Sequence, residues 1–105
     1  MAAARPNWTP HYAELRKRLE ALRYMFPSGG RAETYRCLYD DFIENHEFDL
    51  AVDVLYDFLL EPESAPPNEN EFHAIAEVLN LMEIHDDRFV RLREKQQNAL
   101  GNETF

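Results

Sequence analysis

The spacing of apolar residues constrains the fold of this chain more than any other feature of its sequence. Apolar side chains recur three and four positions apart in successive segments, and they do so most clearly between residues 35 and 43. This spacing places side chains on one face of an α-helix, whereas a half-buried strand shows strict alternation. No segment alternates convincingly, so the sequence predicts an all-α protein. The stripe that shows this best contains Tyr35, Leu38, Tyr39, Phe42 and Ile43.

Capping and breaking residues divide this pattern into four or five helices. Thr9-Pro10 supplies an N-cap hydroxyl and a first-turn proline, and the cluster Pro27–Gly30 ends the first helix near residues 24–26. Asn68 with Glu71 three positions later forms a capping-box pattern for the fourth helix. Asp86 or Asp87 is placed to cap a fifth. The second and third helices are predicted at about residues 32–45 and 48–60, and the apolar pattern of the fifth fades after residue 96.

Length and composition indicate one domain. The chain has 105 residues, of which 45% are apolar, and it contains a single cysteine. A core of this size folds without disulfides or metal. We therefore expect one helical domain over residues 1–105, with flexible ends at 1–8 and 99–105. Because the connections are short, we expect a single small bundle of four to five antiparallel helices.

Charge is distributed very unevenly along the chain. Residues 32–87 carry sixteen acidic side chains and one basic one, a net charge of −15, whereas residues 1–31 and 88–105 carry +4 and +2. Two interpretations stay open. The basic ends can fold over the acidic middle and neutralise part of it. A surplus of this size also repels itself within the folded protein, which favours a cationic partner as its reason.

The acidic residues form two strips at helical spacing. Residues 49, 53, 57 and 61 align along the third predicted helix, and residues 33, 40, 44 and 47 lie opposite the apolar stripe of the second. Like charges four positions apart destabilise a helix, so their repetition favours a protein interface. The predicted partner-binding residues are Asp40, Asp41, Glu44, Glu47, Asp49, Asp53, Asp57 and Glu61. The candidate aromatic anchors beside them are Tyr24, Tyr39, Tyr56 and Phe58, with core packing as the alternative and the favoured reading for Tyr39.

The sequence offers little catalytic chemistry. Three histidines follow an acidic residue by two positions, which places the pair on different faces of a helix and disfavours a shared metal. Cys37 lies toward the acidic side of its helix, where a thiolate is disfavoured. We therefore expect no enzyme, no metal and no cofactor. The remaining enzymatic alternative would use Asp40 or Asp41 in a deep pocket with shifted pKa values.

Other features bear on location and partners. The N-terminus has no apolar run typical of a secretion signal, and no apolar stretch approaches the roughly 18 residues that span a bilayer. Excess acid disfavours direct binding to nucleic acid, because phosphate is repelled. These features favour a cytoplasmic protein, while the oligomeric state stays open.

The stretch Leu38–Ile84, about half the chain, resembles the central part of MafI-type immunity proteins of bacterial polymorphic-toxin and contact-dependent-inhibition systems. The similarity consists of an acidic turn between two helices, a helix with spaced leucines, a proline-containing loop, and a helix that closes on a short apolar end. The segments that carry it are Phe42–Glu47 (FIENHE), Leu50–Leu55 (LAVDVL), Leu59-Leu60, Pro62–Pro67, Glu71–Ile75 (EFHAI) and Leu81–Ile84 (LMEI).

This resemblance implies a non-catalytic role. Proteins of the family are small, cytoplasmic and helical, and each binds and neutralises the toxic domain of its cognate effector. Such toxins are often nucleases or nucleic-acid deaminases with basic clefts, which an acidic inhibitor complements. The expected partner is therefore a cognate toxin domain. The alternative is a helical adaptor or regulator that binds a protein without a toxin being involved.

Overall fold

The computed structural model describes residues 12–103, with side-chain placement for residues 12–98, and confirms the all-α bundle. Within that part of the chain there are five α-helices and no strand. A short 3₁₀ turn, Arg23–Met25, follows the first helix. The helices are α1 (Tyr12–Ala21), α2 (Gly30–Glu44), α3 (Phe48–Leu59), α4 (Glu69–Met82) and α5 (Arg88–Glu103).

The ends of the first and last helices differ from the prediction. The predicted cap Thr9-Pro10 and the segment 1–8 lie outside the described residues. At its other end α1 stops at Ala21 and tightens into the 3₁₀ turn, where Met25 N–H donates to the Leu22 carbonyl at 3.0 Å. Helix α5 continues to Glu103, beyond residue 96, where its apolar pattern fades. The Gln, Ala and Leu residues of this stretch favour a helix by intrinsic propensity, so it continues without an apolar face. The flexibility predicted for residues 99–105 stays a prediction.

Two helices end on non-glycine residues with left-handed backbone angles, which the sequence does not signal. His46 has φ 58° after α2, and Glu83 has φ 57° after α4. In each case the following N–H reaches back to a carbonyl five residues earlier, from Glu47 to Phe42 at 2.7 Å and from Ile84 to Leu79 at 2.9 Å. These bonds satisfy carbonyls that would otherwise lack partners at a helix end.

The predicted capping box at the start of α4 is confirmed. The Asn68 side chain accepts a hydrogen bond from Glu71 N–H at 2.8 Å, and the Glu71 side chain accepts one from Asn68 N–H at 2.8 Å. The cap of α5 comes from Asp86, whose Oδ1 accepts from Arg88 N–H at 3.0 Å. Both caps satisfy N–H groups in the first turn, so they fix where these helices begin.

Helix α3 is the centre of the bundle, as its apolar residues on many faces predict. It packs against α1, α2 and α5, while α1 also packs against α4. Between α1, α3 and α4 the packing leaves an apolar cavity of about 10 Å³, which is near the smallest volume that holds one water molecule. The buried residues of α3 are Phe48, Ala51, Val52, Val54, Leu55, Tyr56, Phe58 and Leu59.

The core corrects two predictions about apolar residues. Leu38 belongs to the α2 stripe by spacing, yet 44% of it is exposed, because it lies at the edge of the face that α3 covers. Tyr56 and Phe58 were candidate surface anchors, but both are buried, whereas the burial of Tyr39 confirms the core position favoured for it. Tyr24 is the one predicted anchor that stays exposed, at 65%. Helical spacing identifies a face, whereas the neighbouring helices determine how much of that face is covered.

Candidate protein-binding surface

The acidic residues of α2 are partly held by arginines from the α1 side. Arg16 Nη2 lies 2.9 Å from Glu44 Oε1, and Arg23 Nε lies 2.8 Å from Asp40 Oδ1. The carboxylates raise the pKa of both arginines, chiefly through the side-chain hydrogen bonds that Arg16 donates to Glu20 and that Arg23 donates to Asp40. The basic first helix therefore neutralises part of the acidic strip on the second.

The acidic strip of α3 is also paired at two positions. Arg88 Nη1, from α5, lies 2.8 Å from Asp53 Oδ1, and Arg31 Nη2, from α2, lies 2.6 Å from Glu61 Oε2. Arg88 holds Asp86 as well, at 2.8 Å, and this hydrogen bond is the main cause of the lowered pKa of Asp86. Arginines from both basic segments of the chain thus form ion pairs with carboxylates of the acidic segment 32–87.

The eight predicted partner-binding residues now fall into three groups. Asp40, Glu44, Asp53 and Glu61 form ion pairs within the protein. Glu47 and Asp49 also interact with other groups of the chain. Asp41 and Asp57 are exposed, and neither forms an ion pair with a described residue. The structure does not bring all eight into one unpaired patch.

Neutralisation is incomplete because the basic residues are too few. In the described part of the chain, six arginines are shared among nine carboxylates in salt bridges. The one lysine of α5, Lys95, points its Nζ at the carbonyl of Leu59, 2.6 Å away, instead of at a carboxylate. Burial lowers the pKa of Lys95. The protein keeps a net charge of −9, so its surface remains strongly negative.

A groove beside the end of α3 is a feature that sequence reasoning missed. It encloses about 610 Å³ between the α1–α2 connection and the α3–α4 loop. Exposed Tyr24 stands on one side, and Glu61 and Glu63 belong to the other. The two proline-containing segments, at residues 27 and 62–67, were visible in the sequence, but only their packing against one another forms a groove. Its lining residues are Tyr24, Met25, Pro27, Arg31, Ala32, Phe58, Leu59, Glu61, Glu63, Ser64, Ala65, Pro66 and Glu71.

Hydrogen bonds fix two of the three acidic residues that line this groove. Glu61 Oε2 accepts from the Tyr35 hydroxyl as well as from Arg31. Glu71 Oε2 accepts from the Tyr24 hydroxyl at 2.5 Å while its other oxygen completes the α4 capping box. These bonds raise the pKa of both tyrosine hydroxyls, because each donates its proton to a carboxylate.

The residues weighed for catalysis are dispersed. Asp40 borders a surface cleft with Glu20, Arg23 and Glu44, and the adjacent Asp41 is not part of that cleft. Cys37 is exposed. Among the described residues, no three His, Cys, Asp or Glu side chains are grouped so that they could hold a metal ion. No helix in that part of the chain has the length and apolar character needed to span a bilayer.

Comparison with family models, curated proteins and solved structures finds no match to this chain. The resemblance to MafI-type immunity proteins therefore stays a prediction from the residues that carry it. Arguments about function depend on the surface itself, on its charge and on its groove.

Proposed function

We propose that this protein is a cytoplasmic immunity protein that binds and neutralises a cognate toxin domain with a basic surface. One observation carries the proposal: the acidic residues outnumber the basic ones by nine, even though arginines from α1, α2 and α5 fold onto the acidic strips. Excess charge of one sign speeds encounter with an oppositely charged partner and disfavours wrong partners. The resemblance of residues 38–84 to immunity proteins supports the same role.

Within the predicted interface, Asp41 and Asp57 are the sharpest residues to test. Both side chains are exposed and neither is in an ion pair with a described residue, so each is available to a partner's lysine or arginine. Reversal of Asp53 is a less clean test, because it would also leave Arg88 facing a like charge inside the protein. Loss of binding by an Asp53 variant would therefore not distinguish a lost interface contact from a disturbed fold.

The test is co-expression with the product of the gene immediately upstream, followed by purification and calorimetric titration of the two proteins. We expect a stable complex and protection of the cells from the upstream product. The double variant Asp41→Lys/Asp57→Lys should keep its helical circular dichroism but bind about 30-fold more weakly or worse, because it repels a basic partner. Glu94→Lys on α5 is the control, since Glu94 is also exposed and outside the predicted interface.

The outcomes separate the proposals. Toxicity of the upstream product that this protein does not relieve would contradict the immunity function. A tight complex with a harmless partner would instead support the adaptor alternative. Equal weakening by Glu94→Lys and by the double variant would show that overall charge, and not these two aspartates, determines binding.

A further inference from the structure

The groove beside α3 combines an exposed aromatic ring with half-buried and exposed carboxylates. Tyr24 is 65% exposed and lines the groove with Met25 and Pro27, so its ring presents an uncovered face. Large exposed aromatic rings are frequent among the residues that dominate protein interfaces. Beneath it, the buried side chain of Phe58 closes the floor. The groove is therefore apolar at its base and on one side.

Carboxylates make the other side of the groove negative. Glu61 and Glu63 line that side, Glu71 lies next to Tyr24 and accepts a hydrogen bond from its hydroxyl, and Arg31 is the one cationic residue in the lining. Glu63 is exposed and forms no salt bridge with a described residue. The Glu61 side chain is only 17% exposed, so an ion pair with it is less screened by water than one at the open surface. Three negative charges and one positive charge line the groove, and Lys95, which donates to the Glu61 carbonyl, adds a second positive charge next to that lining. The remaining negative charge makes the groove complementary to a cation.

Arg31 shows what kind of group this side of the groove accepts. Its guanidinium lies 2.6 Å from Glu61 Oε2, yet 70% of its own side chain is exposed. The carboxylate is also held by the Tyr35 hydroxyl, whereas Glu61 is the one salt-bridge partner of Arg31 among the described residues, with Tyr35 and Glu63 close by. A guanidinium from another molecule could replace Arg31 without disturbing the core.

We propose that this groove binds an arginine side chain of a protein partner, and that Arg31 occupies the same position when the partner is absent. The incoming guanidinium pairs with Glu61 and Glu63, and its aliphatic stem lies against Tyr24, which an arginine also contacts favourably through its ring face. Arg31 then competes with the partner and weakens its binding. The identity of the partner rests on the proposed function, whereas the chemistry of the groove does not.

The test uses the full chain and a probe that is independent of any toxin. The probe is the capped peptide Gly-Arg-Gly-Arg-Gly, and the matched peptide carries citrulline, which has the same shape without the charge, in place of each arginine. Titration is followed by two-dimensional NMR of the backbone amides. We expect the arginine peptide to shift amides of the two segments that form the groove, and the citrulline peptide to shift them far less.

Three variants, two of them with a matched control variant, sharpen this result. Arg31→Ala should bind the arginine peptide about threefold more tightly, because the internal competitor for Glu61 is gone. Tyr24→Ala should bind it about threefold more weakly, whereas Tyr24→Phe keeps the ring and should bind normally. Glu63→Gln should weaken binding, while Glu94→Gln, which removes the same charge elsewhere on the surface, should not.

Each outcome decides the question. Shifts spread evenly over the acidic surface, equal binding of both peptides, or weaker binding by Arg31→Ala would overturn the proposal. Groove shifts that depend on protein concentration alone would show that a second copy of the chain fills the groove, which also overturns it. Groove binding of the arginine peptide without any protection from the upstream gene product would keep this inference and contradict only the immunity function.

Discussion

Two successive turns of α3 each carry an aspartate on the same face, but only one of the two aspartates forms an ion pair within the described structure. Asp53 and Asp57 are four residues apart on one face of the helix. Asp53 pairs with Arg88 at 2.8 Å, and the same arginine lies over the Tyr56 ring, 4.5 Å from its centre. Asp57, one turn later, is exposed and forms no ion pair with a described residue. Equal spacing therefore does not give equal availability to a partner.

This difference shows that the helices packed across a strip of like charges determine which of its residues are paired and which stay available. The start of α5 passes the Asp53 turn and places Arg88 there, where the hydrogen bonds that Arg88 donates to Asp86 and Asp53 raise the pKa of its guanidinium. At the Asp53 turn the carboxylate serves the fold, and at the Asp57 turn it is available for binding. Predictions that separate these two roles test the comparison directly.

The largest effect is expected from Arg88→Ala. This change removes the ion pairs with Asp53 and Asp86 and the cover over the Tyr56 ring, and it should lower the free energy of unfolding by about 2 kcal/mol. Asp57→Asn is the matched change on the next turn and should alter it by less than about 0.5 kcal/mol. Urea unfolding followed by circular dichroism measures both. Similar losses from the two variants would show that the turns do not differ.

An intermediate effect on stability is expected when the hydroxyls of the two buried tyrosines are removed. The Tyr39 hydroxyl donates to the Leu19 carbonyl at 2.6 Å, whereas the buried Tyr56 hydroxyl has no hydrogen-bond partner within the described structure. Tyr39→Phe should therefore lower the free energy of unfolding by about 1 kcal/mol, since a buried hydrogen bond is lost. Tyr56→Phe keeps the ring under Arg88 and should leave stability unchanged or raise it. A loss from Tyr56→Phe as large as that from Tyr39→Phe would reveal a partner for this hydroxyl.

The smallest effect on stability is expected when a fall in pH protonates Asp86. Arg88 lowers the pKa of Asp86 below its ordinary value of 3.8, so this carboxylate stabilises the folded protein above that pH. The contribution is lost as the pH falls below 3.8 and through the lowered pKa, because the proton must displace Arg88. The stability difference between the native protein and Arg88→Ala should therefore shrink between about pH 5 and pH 2. A difference that is constant with pH for Arg88→Ala would contradict the assignment.

Much of the fold could be predicted because its signals are local. Helical spacing identified α2 and α3, Asn68 and Glu71 identified the start of α4, and the breaker at Gly29-Gly30 is confirmed by φ angles of 83° and 62°. Two helix ends carried no such signal. The ends at His46 and Glu83 are closed by backbone bonds that span five residues, but neither left-handed position holds the glycine that usually marks one.

The candidate site was less predictable than the fold. Sequence reasoning found the acidic strips and left open whether the basic ends neutralise them. It did not find the groove, because Tyr24 and Glu63 are far apart in sequence and meet only through packing of two loops. It also placed Tyr56 and Phe58 near the surface, although both are buried by the helices around α3.

The sequence by itself determined the helical class, the central place of α3 and the negative charge, since these follow from spacing and composition that any compact arrangement must respect. Tertiary structure alone decided which carboxylates pair with arginines, which tyrosine stays exposed and where a groove forms. The physical reason is how far apart in the sequence the interacting residues lie. A helix face is set by neighbours three and four residues away, whereas Arg88 and Asp53, or Tyr24 and Glu71, meet only after the whole chain has packed.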